Sequence, residues 1–225
     1  MGTLLLIRHG RTDANAKGVL AGRTPGVTLD EVGISATKDL ASRLVTVDIA
    51  RVIASPLERT LETAEILFGK QVDIAAEDRL LECDYGDWQG AKLSELAVHE
   101  LWPVVQQRPD EMILPNGESM NDMSGRACQA VREWDARLTA EHGDKVVWAA
   151  VSHGDIIKAI CADAMGLPLR KFQSLLIEPA SVSVIHYSES GSAVSKLNDT
   201  GSDWLTKLNS EAIKTPTLGG ESGKD

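Results

Sequence analysis

The sequence predicts an α/β fold with a mainly parallel central sheet, on three observations. Three short apolar runs, Leu4–Ile7, Asp48–Ala54 and Lys145–Val151, are continuous rather than alternating, as in strands buried on both faces. These runs are interleaved with stretches of helical period, the pattern of parallel strands joined by helical crossovers. At 225 residues, 43% of them hydrophobic, the chain is long enough for one well-buried core with an excursion.

Leu4–Ile7 gives the first strand, running straight into Arg8-His9-Gly10. Arg11–Asn15 is polar and starts a helix or a loop. Residues 18–33 are loop, broken by Gly22, Pro25 and Gly26. Leu29, Ile34, Leu40 and Leu44 mark a helix over Glu31–Val45. Asp48–Ala54 is the second strand. Ser55 then suits an N-cap and Pro56 the first turn of a helix to Phe68, which Gly69 stops. Val72–Ala75 is a short strand, and Leu80–Gly90 is turn-rich without a clear period. Lys92–Gln107 is helical in pattern, interrupted at Pro103, and Arg108–Ser119 is loop. Ser119–His142 is the longest helix, ended by Gly143. Lys145–Val151 is the third buried strand, followed by Ser152-His153-Gly154-Asp155 and a helix over Ile156–Met165. Ala180–Tyr187 alternates as an edge or half-exposed strand does, and Ala193–Leu197 pairs with it as a hairpin around Gly191. Residues 1–199 therefore form one domain, with Leu81–Ser119 as a lid-like excursion. Residues 200–225 are a polar tail, with Lys214–Asp225 expected to be flexible.

The formal net charge is −10 and the isoelectric point is near 5.0. So acidic a chain is a poor partner for nucleic acid or an anionic membrane, and an anionic ligand would need a local cationic pocket. The three cysteines, Cys83, Cys128 and Cys161, are odd in number and widely spaced, which fits reduced thiols in a cytoplasmic protein. There is no leader pattern and no apolar run approaching about 18 residues.

Two buried strands end alike, in Arg8-His9-Gly10 and Ser152-His153-Gly154, although the chain holds only five histidines. In an open α/β sheet the carboxyl ends of the strands form the ligand crevice, so neighbouring strands would set the two imidazoles facing each other. Arg59 lies in the first turn of a helix, where an arginine is unfavourable unless an anion meets it. A surface ion pair with Glu58 or Glu62 is the alternative. Glu82, between Leu80/Leu81 and Tyr85/Trp88, would be partly desolvated, raising its pKa toward that of a general acid at neutral pH; the alternative is a solvated loop acid. Together these parts suit phosphoryl transfer. Arg8, Arg59 and His153 neutralise the phosphoryl group, neutral His9 attacks phosphorus, and Glu82 protonates the leaving oxygen and later acts as base. No carboxylate cluster has metal-ligand spacing, so neither metal nor cofactor is expected.

Five separated segments carry a resemblance: Arg8-His9-Gly10-x-Thr12 with Asn15, Ser55-Pro56-Leu57-x-Arg59-Thr60-x-x-Thr63-Ala64, Leu81-Glu82-x-x-Tyr85-Gly86-x-Trp88-x-Gly90, Gly117-Glu118-Ser119 and Ser152-His153-Gly154. In this order they resemble the histidine phosphatase superfamily, in its phosphoglycerate-mutase-like branch. The resemblance implies a three-layer α/β/α sandwich and a phosphohistidine at His9. It implies phosphate contacts from Arg8, Arg59 and His153, with Asn15, Gly22, Arg23 and Gly154 completing the pocket or its rim. It places the acid at Glu82. Arg11 stands where Glu or Gln is common, adding charge near the pocket mouth.

Mutases of this family carry a longer middle insertion with paired arginines, whereas Ala91–Pro115 here offers only Lys92 and Arg108. The resemblance therefore implies a metal-independent phosphomonoesterase acting on a small phosphorylated metabolite. A phosphoglycerate mutase and a non-catalytic phosphate-binding protein on the same fold are the alternatives. The oligomeric state is not legible.

Overall fold

A computed structural model describes residues 2–201 and 218–220. Its sheet has six strands: β1 (Thr3–Arg8), β2 (Arg51–Ala54), β3 (Ile74–Ala76), β4 (Val147–Ser152), β5 (Val182–Ser188) and β6 (Gly191–Asp199). The order is β3-β2-β4-β1-β5-β6. The first four are parallel, while β5 runs antiparallel to β1 and β6 antiparallel to β5.

Alternation along the central strands explains why both faces are covered. Leu4, Leu6, Ile53, Trp148 and Ala150 point into one core, and Leu5, Ile7, Val52, Ala54, Ala149 and Val151 into the other. The second core is closed by α2 (Glu31–Leu44) and α3 (Glu58–Phe68), which pack on each other. The first is closed by α6 (Met120–His142) and α7 (Gly154–Ala164). The result is a helix–sheet–helix sandwich. Shorter helices α1 (Asp13–Ala16), α4 (Leu93–Leu96) and α5 (Trp102–Gln107) lie in the connections. No helix among the described residues is long and apolar enough to cross a membrane.

Five local expectations are corrected. Ser55 does not cap α3; Leu57 is the N-cap, and the Ser55 hydroxyl instead meets His153. Pro103 does not interrupt a helix. It sits in the first turn of α5, where its missing N–H costs nothing, and the break lies between α4 and α5. Strand β5 is not an edge: it pairs with β1 on one side and β6 on the other, so the edges are β3 and β6. Its sequence alternates because its far half is exposed (His186) while Val182 and Ile185 are buried. Helix α7 starts at Gly154, two residues before the expected Ile156, so its N-terminus abuts His153. Finally, the C-terminal segment is not all free tail. Leu218 is fully buried and Gly219 is bonded to core side chains, while the rest of the expected flexible stretch, 214–217 and 221–225, lies outside the described residues.

Candidate active site

Strands β1, β4 and β2 lie side by side and release their last residues into one crevice. Arg8 is in register with Ser152, so His9 and His153 follow as neighbours. Their rings meet edge to face, with centroids 5.2 Å apart. The His9 main chain is fixed by Ser152, whose carbonyl accepts from its N–H, and by Ala180, whose N–H donates to its carbonyl.

His9 is only 3% exposed. Its Nδ1 lies 2.7 Å from the Gly10 carbonyl, a contact that requires a proton on Nδ1 and leaves the lone pair on Nε2. Burial, then the charges of Arg59 and Arg8, push the His9 pKa well below the ordinary imidazole value. His153 is shifted the same way by burial, Arg59 and His9, and its Nε2 is 2.8 Å from the Ser55 hydroxyl. Both imidazoles are therefore neutral at pH 7.

Arg59 stands in the first turn of α3, 2% exposed. It donates through Nη2 to the Gly22 carbonyl at 2.7 Å and through Nε to His9 Nε2 at 3.3 Å. The surface-pair alternative is overturned. Glu58 accepts from the N–H of Gly26 and Glu62 from that of Leu29, so both carboxylates anchor the loop leading to α2. Buried Arg59 Nη1 and His153 Nδ1 have no hydrogen-bond partner among the described residues, a costly arrangement unless a polar ligand arrives. Arg8, 1% exposed, donates to the Ile177 and Gly219 carbonyls.

Glu82 is 4% exposed, not a solvated loop acid. Burial, then the negative charge of Asp155, pushes its pKa up to about 7, against a hydrogen bond from the Cys83 N–H and the pull of Arg59 and Arg8. Glu82 lines the same pocket as His9, Arg8, Arg59, Asn15 and Gly22.

The remaining sequence candidates separate. Asn15 lines the pocket, but its carbonyl oxygen is held in a capping box with Thr12. Gly154 is buried at the start of α7, behind His153. Arg23 is not among the residues lining this pocket; its Nε donates to the Glu82 carbonyl and its Nη2 to Glu118. Arg11 is not among the residues lining this pocket and pairs with Asp30 at 2.8 Å. Arg108 pairs with Glu111. Cys83 is buried, and burial raises its thiol pKa, as suits an inert side chain.

Sequence reasoning missed Leu20, Tyr85 and Gly219 as walls of the pocket. The Tyr85 hydroxyl donates to Asp155, which also accepts from the Gly219 N–H and pairs with the buried Lys158. Among the described residues no group of three or more His, Cys, Asp or Glu side chains is arranged to hold a metal ion.

Comparison with known proteins matches residues 4–200 to the histidine phosphatase superfamily (branch 1). The chain is 32% identical over 205 residues to phosphoserine phosphatase 1 of Hydrogenobacter thermophilus, covering 88% of this chain and 92% of that protein. It is 32% identical over 189 residues to the Cronobacter sakazakii protein named "Probable phosphoglycerate mutase GpmB", covering 82% and 85%. Among solved structures, Bacillus stearothermophilus YhfR superposes with a TM-score of 0.80 at 28% identity, covering 88% of this chain and 98% of that one.

Proposed function

The chain belongs to the histidine phosphatase superfamily, and from that premise we propose that it is a metal-independent phosphomonoesterase that hydrolyses a small phosphorylated metabolite through a phosphohistidine on His9. The observation that carries the reading is the state of His9. It is buried and neutral, its Nδ1 proton is committed to the Gly10 carbonyl, and its Nε2 lone pair faces a guanidinium.

Arg59 Nε donates to that lone pair at 3.3 Å. A phosphoryl group drawn to Arg8 and Arg59 gives the guanidinium better acceptors and frees Nε2. The Nε2 lone pair then forms the N–P bond as the ester P–O bond breaks. The departing alkoxide oxygen takes the Glu82 proton. A water next attacks phosphorus, gives its proton to the Glu82 carboxylate, and the N–P electron pair returns to Nε2. Phosphate leaves, with His9 neutral and Glu82 protonated as at the start. The N-termini of α3 and α7, both at the crevice, favour the same anion.

Phosphatase rather than mutase chemistry is supported by the pocket's charge. Its lining cations among the described residues are Arg8 and Arg59, and both serve the phosphoryl position. A mutase must also hold the rest of an acidic substrate. Segment 81–119 supplies the Glu82 and Tyr85 wall, and we place substrate choice there. The reading predicts hydrolysis of 4-nitrophenyl phosphate in the presence of EDTA. His9→Ala should lower kcat by about 10⁴-fold or more, in the range seen when a covalent nucleophile is removed. Retained activity in that variant contradicts the reading, and isomerisation of 3-phosphoglycerate with a bisphosphoglycerate primer would favour the mutase.

A further inference from the structure

The backbone around the acid is held in an unusual way. Residues 79–82 belong to neither helix nor sheet ladder beyond a single tight turn, yet a buried carbonyl must find a donor. Each of these four consecutive carbonyls finds one on a side chain. Arg126 Nη1 donates to Arg79 O at 2.7 Å and to Leu81 O at 2.8 Å. The Ser152 hydroxyl donates to Leu80 O at 2.8 Å. Glu82 O receives both Arg23 Nε at 2.9 Å and Arg126 Nη2 at 3.2 Å.

The two arginines are tied together by Glu118. Arg126 meets it as a two-pronged fork, Nε to Oε2 at 3.0 Å and Nη2 to Oε1 at 2.6 Å. Arg23 Nη2 reaches the same Oε1 at 3.0 Å, and the Asp84 N–H reaches it at 2.8 Å. The Glu118 N–H in turn donates to Asp84 O. A fork of this kind fixes direction as well as distance. Gly117 is what lets the strands of this knot approach: a Cβ there would collide with the Asp84 carbonyl. Ser119, which follows Glu118, caps α6, the 23-residue helix that carries Arg126. The Gly117-Glu118-Ser119 motif thus joins the acid segment to the longest rigid element of the fold.

Resting on the reading of Glu82 as the acid, we propose that Arg126 is a positioning residue for it: the Arg126–Glu118–Arg23 clamp holds residues 79–84 so that the Glu82 carboxyl meets the leaving-group oxygen. The fork touches neither His9 nor the phosphoryl position, so its loss leaves attack on phosphorus intact. What suffers is proton delivery, and that matters in proportion to how poor the leaving group is.

The test compares kcat/KM, which reports steps through formation of the phosphoenzyme, for an alkyl ester (glycerol 1-phosphate) and an activated aryl ester (2,4-dinitrophenyl phosphate). Arg126→Met should lower the alkyl value by about 10²-fold, the scale expected for a displaced catalytic group, and the aryl value by no more than a few-fold. Arg126→Lys keeps the charge but cannot form the fork, so it should show the same selective loss in weaker form. Glu118→Gln keeps the shape and weakens the fork; it carries the same test if Arg126→Met is insoluble. Glu82→Gln is the benchmark. Selective loss there with equal or no loss in the Arg126 and Glu118 variants overturns the clamp alone. Unselective loss in Glu82→Gln overturns the acid reading and the clamp with it.

Discussion

At the site each residue's behaviour follows from burial beside a fixed charge. A solvent-exposed histidine is partly protonated near neutrality and a poor nucleophile. Here burial and two guanidiniums hold His9 neutral below its ordinary value, while burial and Asp155 keep Glu82 protonated up to about pH 7. The signs set the pH profile. The base form of His9 is lost only at pH values below the ordinary imidazole range, and the acid form of Glu82 is lost as pH rises through about 7. The log kcat/KM profile for an alkyl ester should therefore be flat in mildly acidic solution and fall on the alkaline side. Glu82→Gln should lower that plateau by about 10²–10⁴-fold, the usual worth of a general acid, and remove the alkaline limb. A limb that persists in the variant would assign it to another group.

Several of these residues were legible beforehand because each contradicted its local setting. Arg59 at a helix N-terminus and a carboxyl among apolar neighbours both called for a ligand or a reaction. Ser55 was misread for the opposite reason, since its position suited a cap perfectly well. Only tertiary contact with His153 revealed where its hydroxyl goes.

Among the elements, the three buried strands and α2, α3 and α6 were plain in the sequence, because uninterrupted apolar runs and long amphipathic periods have few alternative folds. The Leu80–Ser119 region was not, because its backbone is satisfied by distant side chains rather than by periodic bonds. Arg126 is 44 residues from Glu82 in sequence, and no local pattern announces that pairing. The two segments of this region interlock at glycines. Gly86 has φ of 53°, and a Cβ there would collide with the Pro115 carbonyl. Gly86→Ala should cost about 1–2 kcal/mol for the left-handed backbone alone, which in a protein of this size lowers Tm by about 2–4 °C per kcal/mol. It should also reduce turnover of alkyl esters more than that of aryl esters. Differential scanning fluorimetry and the two substrates check both parts; an unchanged Tm would show that the loop relaxes without strain.

Across the molecule, a chain of net charge −10 concentrates two guanidiniums, two imidazoles and two helix N-termini at one end of its sheet. The C-terminal residues Leu218 and Gly219 help close that end. Gly219 accepts from Arg8, donates to Asp155 and packs against Leu20 and Tyr85. Nothing in a small, polar terminal sequence distinguishes a wall from a free tail, so this part of the site was invisible in the sequence. Deleting residues 218–225 should admit water to Arg8 and Glu82. Less burial lets the Glu82 value fall from about 7 and the His9 value rise, so the window of activity should narrow from both sides. A pH profile of the truncated protein identical to that of the full chain would show that 218–220 do not shape the site.

The central claim is the covalent intermediate on His9. The most direct measurement is rapid quenching of the protein with 4-nitrophenyl phosphate and EDTA, in base to preserve an acid-labile phosphoramidate, followed by peptide mass spectrometry. Glu82→Gln should accumulate the intermediate, since it retains the nucleophile but lacks the base for the second step. The account predicts one added phosphoryl group, located on His9 and absent from His9→Ala. Turnover with no phosphorylated protein in either the wild type or Glu82→Gln, or a phosphoryl group on another residue, would contradict it.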